Sequence, residues 1–138
     1  MRLFAGAGEI SGDILAASII NSLKKNISIF ASGVAGNAMI ESGVYPLAEI
    51  DRLSLMGLVE VLPRLVELHL LRINLIKYID VAKPNLILTV DAPDFFLPLA
   101  KKVRKNYSPV VHCVSPSVWA WRSERVKELA KNVSHLLC

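Results

Sequence analysis

No charge-free apolar run in the chain reaches the roughly 18 residues that a membrane-spanning helix needs. This holds although 53% of the residues are hydrophobic and the mean hydropathy is +0.44. A spanning segment is therefore not expected, while a lipid-facing or subunit-facing surface is. Cysteine is scarce: Cys113 and Cys138 stand alone, each at the end of an apolar, strand-like run. Two thiols so placed supply neither a disulfide framework nor a metal site, and they are expected as reduced, buried side chains of a cytosolic protein. Met1-Arg2-Leu3-Phe4 lacks the layout of a signal peptide, because glycines and Glu9 interrupt it at once. There is no internal repeat, low-complexity tract or linker. The net charge of +4 suits anionic lipid or phosphate partners but is too weak by itself to indicate nucleic acid.

What is present is an alternation of strand-like and helix-like segments in 138 residues, enough for one domain with a real core. Leu3-Phe4-Ala5 reads as a first strand, and a helix follows from about Gly12 to Lys25, with Ser11 or Asp13 as a candidate cap. Residues 27–34 read as a strand, 36–42 as a short helix and 44–47 as another strand. The apolar stretch from Gly57 to about Ile79 is helical in pattern. Pro63 inside it predicts one helix ending near Leu62 and a second beginning at the proline, where its missing N–H costs least. A strand at 86–90, a helix from about Asp94 to Tyr107, a strand at 110–114, a loop to Trp121, a helix from Arg122 to Lys131 and a strand at 134–138 complete the reading. Such an alternation predicts a parallel, Rossmann-like α/β sheet with helices on both faces. The last apolar strand has no helix after it, so residues 1–138 are expected to be the front part of something larger.

The candidate chemistry lies where strands end. Leu86-Ile87-Leu88-Thr89-Val90 is short, β-prone and bounded by Pro84 and Pro93, and it runs into Asp91, with Asp94, Phe95 and Phe96 close behind. Ligands of open α/β sheets sit beyond the carboxyl ends of the strands. Asp91 and Asp94 thus read either as site carboxylates or as turn and cap residues. Gly6-Ala7-Gly8-Glu9-Ile10-Ser11-Gly12-Asp13 resembles a dinucleotide loop, but Ser11 displaces the third glycine. Gly33-Val34-Ala35-Gly36 also stands where a ribose-binding acid belongs. Glu9 would repel a pyrophosphate, so sugar hydroxyls suit this loop better, with helix capping by Glu9 and Asp13 as the plain alternative. In Ser115-Pro116-Ser117-Val118-Trp119-Ala120-Trp121-Arg122 the two tryptophans either plug the sheet or, with Arg122 and Arg125, shape a sugar or phosphate pocket.

Five stretches together resemble lipid-A-disaccharide synthase, in that family's order and roughly its spacing. They are Ala7-Gly8-Glu9-Ile10-Ser11-Gly12-Asp13, Gly33-Val34-Ala35-Gly36 with Met39, Met56-Gly57-Leu58-Val59-Glu60-Val61-Leu62, Asp91-Ala92-Pro93-Asp94-Phe95 and the aromatic loop from Ser115 to Arg122. The resemblance implies an inverting glycosyltransferase of the GT-B type, built from two Rossmann-like domains with the active site between them. It implies transfer from UDP-2,3-diacylglucosamine to 2,3-diacylglucosamine 1-phosphate, giving UDP and the β-1,6-linked lipid A disaccharide, with no metal and no cofactor. It also implies a peripheral location on the cytoplasmic face of the inner membrane.

By the same resemblance Asp91 is the general base. Glu9, Ser11, Asp13, Ser115, Ser117, Trp119 and Arg122 bind substrate, and Val59, Leu62, Leu65, Val66, Arg64 and Arg72 meet acyl chains or the membrane. For this last group a plain core helix is the alternative reading. Two departures stand out: Phe96 occupies a position where the family usually has Asn, and Pro63 falls in the membrane-facing stretch. Family members are more than twice as long, and their C-terminal domain carries most UDP-sugar contacts. The chain is therefore expected to be a truncated acceptor-side domain without turnover alone. Two other readings are a non-catalytic homologue that binds acylated sugar or membrane, and an unrelated nucleotide-binding Rossmann domain.

Overall fold

The apolar runs become strands because each is short, β-branched or small in side chain, and closed by glycine, proline or a turn. In the computed structural model, which describes residues 1–53, 61–104, 108–113, 127 and 130–137, the order is β1 (Arg2–Ala7), α1 (Ile10–Lys24), β2 (Phe30–Ala35), α2 (Asn37–Glu41) and β3 (Val44–Glu49). A 3-10 turn (Ile50–Arg52), α3 (Val61–Ala82), β4 (Leu86–Val90), α4 (Pro93–Val103), β5 (Val110–Cys113) and β6 (His135–Leu137) follow. The strands form one sheet in the order β3-β2-β1-β4-β5-β6, and every pairing is parallel.

That order fixes where the helices go. The chain steps one way from β1 to β3, then from β3 across to β4, β5 and β6 the other way. Right-handed crossovers put helices of opposite steps on opposite faces. Hence α1 and α2 share one face and touch each other, whereas α3 and α4 pack together on the other. The central strands are covered on both sides: all of β1 but its first residue is buried, as the near-continuous apolar runs of a parallel sheet require. Phe4, Ile87 and Val110 lie in register on the α4 face, and Leu3 and Leu88 point into the α1 face. The edge strand β3 buries only Val44 and Ala48 and carries Pro46, which an edge tolerates because the missing donor faces no partner.

Small residues let α1 approach the sheet, with Gly12, Ala16 and Ala17 buried beside Ile20. On the other face Leu71, Leu75 and Ile79 of α3 are buried at helical spacing. From Val61 this helix runs unbroken through Pro63, so the expected break at Leu62 does not occur. Pro63 is thus a helical residue of α3. The expected short helix before it lies outside the described residues.

A second proline is accommodated differently. Pro98 sits inside α4 and cannot donate to the Asp94 carbonyl four residues back. Arg72 of α3 supplies the donors instead, reaching the carbonyl oxygens of Asp94 at 3.2 Å and Phe95 at 3.0 Å. Its guanidinium also lies 5.0 Å from the Phe95 ring centre.

Candidate functional site

The strand order reverses between β1 and β4, so the crevice beyond their carboxyl ends is where this class of sheet places ligands. The chain leaves β4 through two consecutive non-glycine residues in the left-handed region, Asp91 at φ 57° and Ala92 at φ 43°. Such residues cost on the order of 1–3 kcal/mol each and persist only where their surroundings hold them. Here the Asp91 N–H donates to the Cys113 carbonyl at 3.2 Å, and the Gly8 N–H donates to the Val90 carbonyl at 3.2 Å. The Ala92 carbonyl accepts from Phe95 and Phe96 at 3.0 Å each, which starts α4. Glycines make the close approach feasible. A Cβ on Gly8 would lie 2.3 Å from that of Ala92, and one on Gly12 would lie 2.5 Å from Asp91 Oδ2. The Asp91 carboxylate therefore rests against the first turn of α1.

Burial raises the Asp91 carboxyl above its ordinary pKa, and the negative charge of Glu9 adds to the rise. A carboxylate so destabilised as an anion is a better proton acceptor than a free one at the same pH. Glu9 is exposed and stands at the N-cap of α1 without capping it through its side chain. Ser11, also exposed, lies in the first turn.

Neither Ser11 nor Asp13 caps α1, contrary to the expectation from sequence. Asp13, one step round the helix from Gly12, faces α2. Its carboxylate is 3% exposed and accepts the backbone N–H groups of Gly36 at 2.8 Å, Ala38 at 2.9 Å and Met39 at 3.2 Å. It thus caps α2 from 23 residues away, satisfying donors that a helix start leaves unpaired. Of the acidic loop, then, Glu9 is brought to Asp91 and Asp13 is committed to the neighbouring helix.

Between α1, α2 and the end of β3 lies a cavity of about 430 Å³. Ile10, Ile14 and Ile40 line it together with Glu41, Glu49 and Asp51. Sequence reasoning missed this group, since its members come from four separate segments. The i,i+4 pair Ile10 and Ile14 on the outer face of a helix was the available signal.

Phe96 is fully buried and meets Phe95 edge-to-face at 5.1 Å. Its ring covers Gly6, where a Cβ would come within 2.6 Å of it. On the same face His112 is buried with Nδ1 2.8 Å from Thr89 Oγ1, and its Nε2 has no partner among the described residues. Burial lowers the His112 pKa and raises that of Cys113, which is a buried free thiol.

On α3, Leu65, Val66 and Leu70 are 49–60% exposed. Arg64 donates to the Asp51 carbonyl at 3.3 Å, and Arg72 is engaged with α4. Leu62 is a residue of this helix. Val59, Ser115, Ser117, Trp119 and Arg122 lie outside the described residues. Among the described residues no three His, Cys, Asp or Glu side chains gather as a metal site, and no helix is long and apolar enough to cross a membrane.

The family model for lipid-A-disaccharide synthetase matches residues 3–138. A lipid-A-disaccharide synthase from Thiobacillus denitrificans is 40% identical over 132 residues, which cover 95% of this chain and 36% of that protein. Lipid-A-disaccharide synthase 2 from Legionella pneumophila strain Paris is 37% identical over 138 residues, 99% of this chain and 36% of that one. The chain spans about a third of the length of the curated relatives it matches. Among solved structures, UDP-GlcNAc 2-epimerase from Neisseria meningitidis bound to UDP-GlcNAc superposes with a TM-score of 0.64 at 13% identity, over 99% of this chain and 40% of that one. MurG from Acinetobacter baumannii gives 0.62 at 12% identity, over 98% and 40%. These likenesses concern the fold alone: a Rossmann-like α/β unit that makes up about 40% of each of those longer chains.

Proposed function

Because the chain belongs to the lipid-A-disaccharide synthetase family, we propose that it is the acceptor-side domain of an inverting glycosyltransferase that makes the lipid A disaccharide. The acceptor is 2,3-diacylglucosamine 1-phosphate and the donor UDP-2,3-diacylglucosamine. Asp91 takes the proton from the acceptor's 6-hydroxyl as that oxygen attacks the donor's anomeric carbon. The bond to UDP breaks, UDP leaves with the electron pair, and the configuration inverts. One displacement of this kind needs no protein nucleophile, only a base within hydrogen-bond reach of the attacking hydroxyl. The observation that carries the reading is the Asp91–Ala92 turn: a strained, half-buried carboxylate at the switch point of the sheet, pressed against α1 and raised in pKa by burial and by Glu9.

Glu9 and Ser11 line the acceptor side in this reading, and the aromatic loop with Ser115, Ser117, Trp119 and Arg122 completes it. The exposed Leu65, Val66 and Leu70 of α3 support contact with acyl chains and the cytoplasmic face of the inner membrane. Exposed apolar surface on a helix suits a lipid interface. Nucleotide-sugar contacts would come from a C-terminal domain, so this chain by itself does not transfer sugar. A second reading, supported by the exposed Leu65, Val66 and Leu70, is a non-catalytic module that holds acylated sugar or membrane.

The test is a disaccharide-forming assay with both substrates, on this chain alone and with the C-terminal half of a full-length relative added. The expected result is turnover only in the mixture, lowered about 100-fold or more by Asp91→Asn, the usual scale for a positioned base. Undiminished turnover by the Asp91→Asn mixture would remove Asp91 from the chemistry. Turnover by the chain alone would remove the need for a second half, and silence in the mixture would favour the binding module.

A further inference from the structure

The first turn of α1 has two flanks. Asp91 rests on one, at Gly12, and on the other is the cavity of about 430 Å³ between α1, α2 and β3. That volume falls within the range of small-molecule sites, about 300–1,000 Å³. Its lining divides by chemistry. One wall is apolar, with Ile10, Ile14 and Ile40 at 71%, 58% and 39% exposure. Three isoleucines left in water within one concavity are a standing gain for whatever covers them. The polar part of the rim holds Glu41, Glu49 and Asp51, all exposed, beside the neutral amide of Asn37, and no lysine or arginine is among the described lining residues. Asp13, at the base, already takes three N–H donors and has little left to offer a ligand.

The acidic rim repels phosphate and pyrophosphate, so the occupant's head is not an anion. Carboxylates are acceptors only and pair well with hydroxyl donors. A cation such as a polyamine would suit the rim but leave the isoleucines wet. A free fatty acid would cover the isoleucines but set its own carboxylate against three others. A neutral, hydroxyl-bearing head joined to a hydrocarbon chain satisfies both walls.

We infer that this cavity is a subsite for the neutral, acylated part of a sugar, with hydroxyls toward Glu41, Glu49 and Asp51 and the first methylenes of an acyl chain over Ile10 and Ile14. The inference deepens the proposed function and rests on it for the identity of the sugar as an acylglucosamine. It divides the ligand across α1: the reacting hydroxyl lies on the Asp91 flank, the acyl-bearing portion on the isoleucine flank, and any phosphate is kept clear of the acidic rim.

The test is a titration of the 138-residue chain, labelled at isoleucine δ1 methyls, with N-dodecanoylglucosamine below its micelle concentration, followed by NMR and calorimetry. Its 1-phosphate, dodecanoate and spermidine are run in parallel. The expected result is that the neutral acyl sugar shifts the methyls of Ile10, Ile14 and Ile40. Its affinity falls about tenfold in Ile14→Ser, the usual scale for lost apolar contact in a pocket, and falls likewise in Ile10→Ser. Both positions are exposed, so these variants keep the fold. The inference is overturned if the acyl sugar leaves those methyls unmoved, if both serine variants bind as the parent does, or if spermidine, dodecanoate or the phosphorylated probe binds there more tightly. Normal binding by both serine variants, with Asp91-dependent turnover in the mixture, sinks the subsite and leaves the proposed function standing. Shifted methyls with a silent mixture do the reverse.

Discussion

Replacing Asp13 by alanine should unfold the junction between α1 and α2 before anything else in the molecule. The carboxylate is 3% exposed and holds three backbone N–H groups at 2.8, 2.9 and 3.2 Å. Hydrogen bonds to a charged acceptor contribute about 1.5–3 kcal/mol each, and a buried donor left without a partner costs about 1–3 kcal/mol. The three share one carboxylate and do not add. Ala38 is only partly buried and can turn to water, whereas Gly36 and Met39 stay dry. The loss is therefore about 3–5 kcal/mol, dominated by those two donors. For a chain of this size that lowers Tm by about 10–15 °C.

Asp13→Asn separates charge from shape. Its one carbonyl oxygen keeps the pair from Gly36 and Met39, which both use Oδ1, but its NH2 meets the Ala38 N–H donor to donor. About a third of the alanine loss or less is expected, since only one of the three donors is left unpaired and it is the one that can turn to water. Urea and thermal denaturation give the magnitudes, and amide exchange at Gly36, Ala38 and Met39 gives the location. An alanine variant within 2 °C (roughly half a kcal/mol by the same scaling) of the parent, with those amides still protected, would refute the account of α2 as a helix started by a distant side chain.

Two further outcomes follow from the same geometry. Gly12→Ala puts a methyl 2.5 Å from Asp91 Oδ2. The carboxylate can swing aside, so thermal stability should hold or rise by up to about 1 kcal/mol from helix propensity, while turnover in the reconstituted assay falls about 100-fold through misplacement of the base. Burial depresses the His112 pKa, so the unfolded chain binds the proton more readily. The native state should be fully stable above the unfolded value near 6.5. It should then lose up to about 1.4 kcal/mol per pH unit as pH falls from there toward the folded value. Urea midpoints at pH 7 and 5.5 should show this slope in the parent and a shallower one in His112→Leu.

Much of the frame was legible in the sequence because its signals are local. The run Leu86 to Val90 between prolines could hardly be anything but a buried strand, and its exit at Asp91 pointed at the crevice. What escaped the reading depends on residues far apart in the chain. Asp13 looked like a cap for the helix it belongs to, yet it serves α2, because only the packed sheet brings residues 13 and 36 together. Pro63 argued for a break in α3 that is not there. Pro98 passed as an ordinary helical position only because Arg72, 26 residues earlier, supplies the Asp94 carbonyl with a donor. The left-handed Ala92 had half a signal: a residue before proline is pushed out of the right-handed helical region. The left-handed turn itself depends on distant partners, the Cys113 carbonyl that holds the Asp91 N–H and the bare Gly8 that leaves room for Ala92.

The sheet order also bears on how the chain emerges from a ribosome. β1 is an interior strand whose two neighbours are made at very different times: β2 ends at residue 35 and β4 at residue 90. At ordinary synthesis rates of about 5–20 residues per second, those 55 residues take roughly 3 to 11 s. Throughout that interval Leu3-Phe4-Ala5-Gly6-Ala7 carries one open hydrogen-bonding edge, the kind that invites pairing with another nascent chain. Synthesis rate between residues 35 and 90 is therefore a variable in the yield of native protein, and slow codons there would be felt as aggregation.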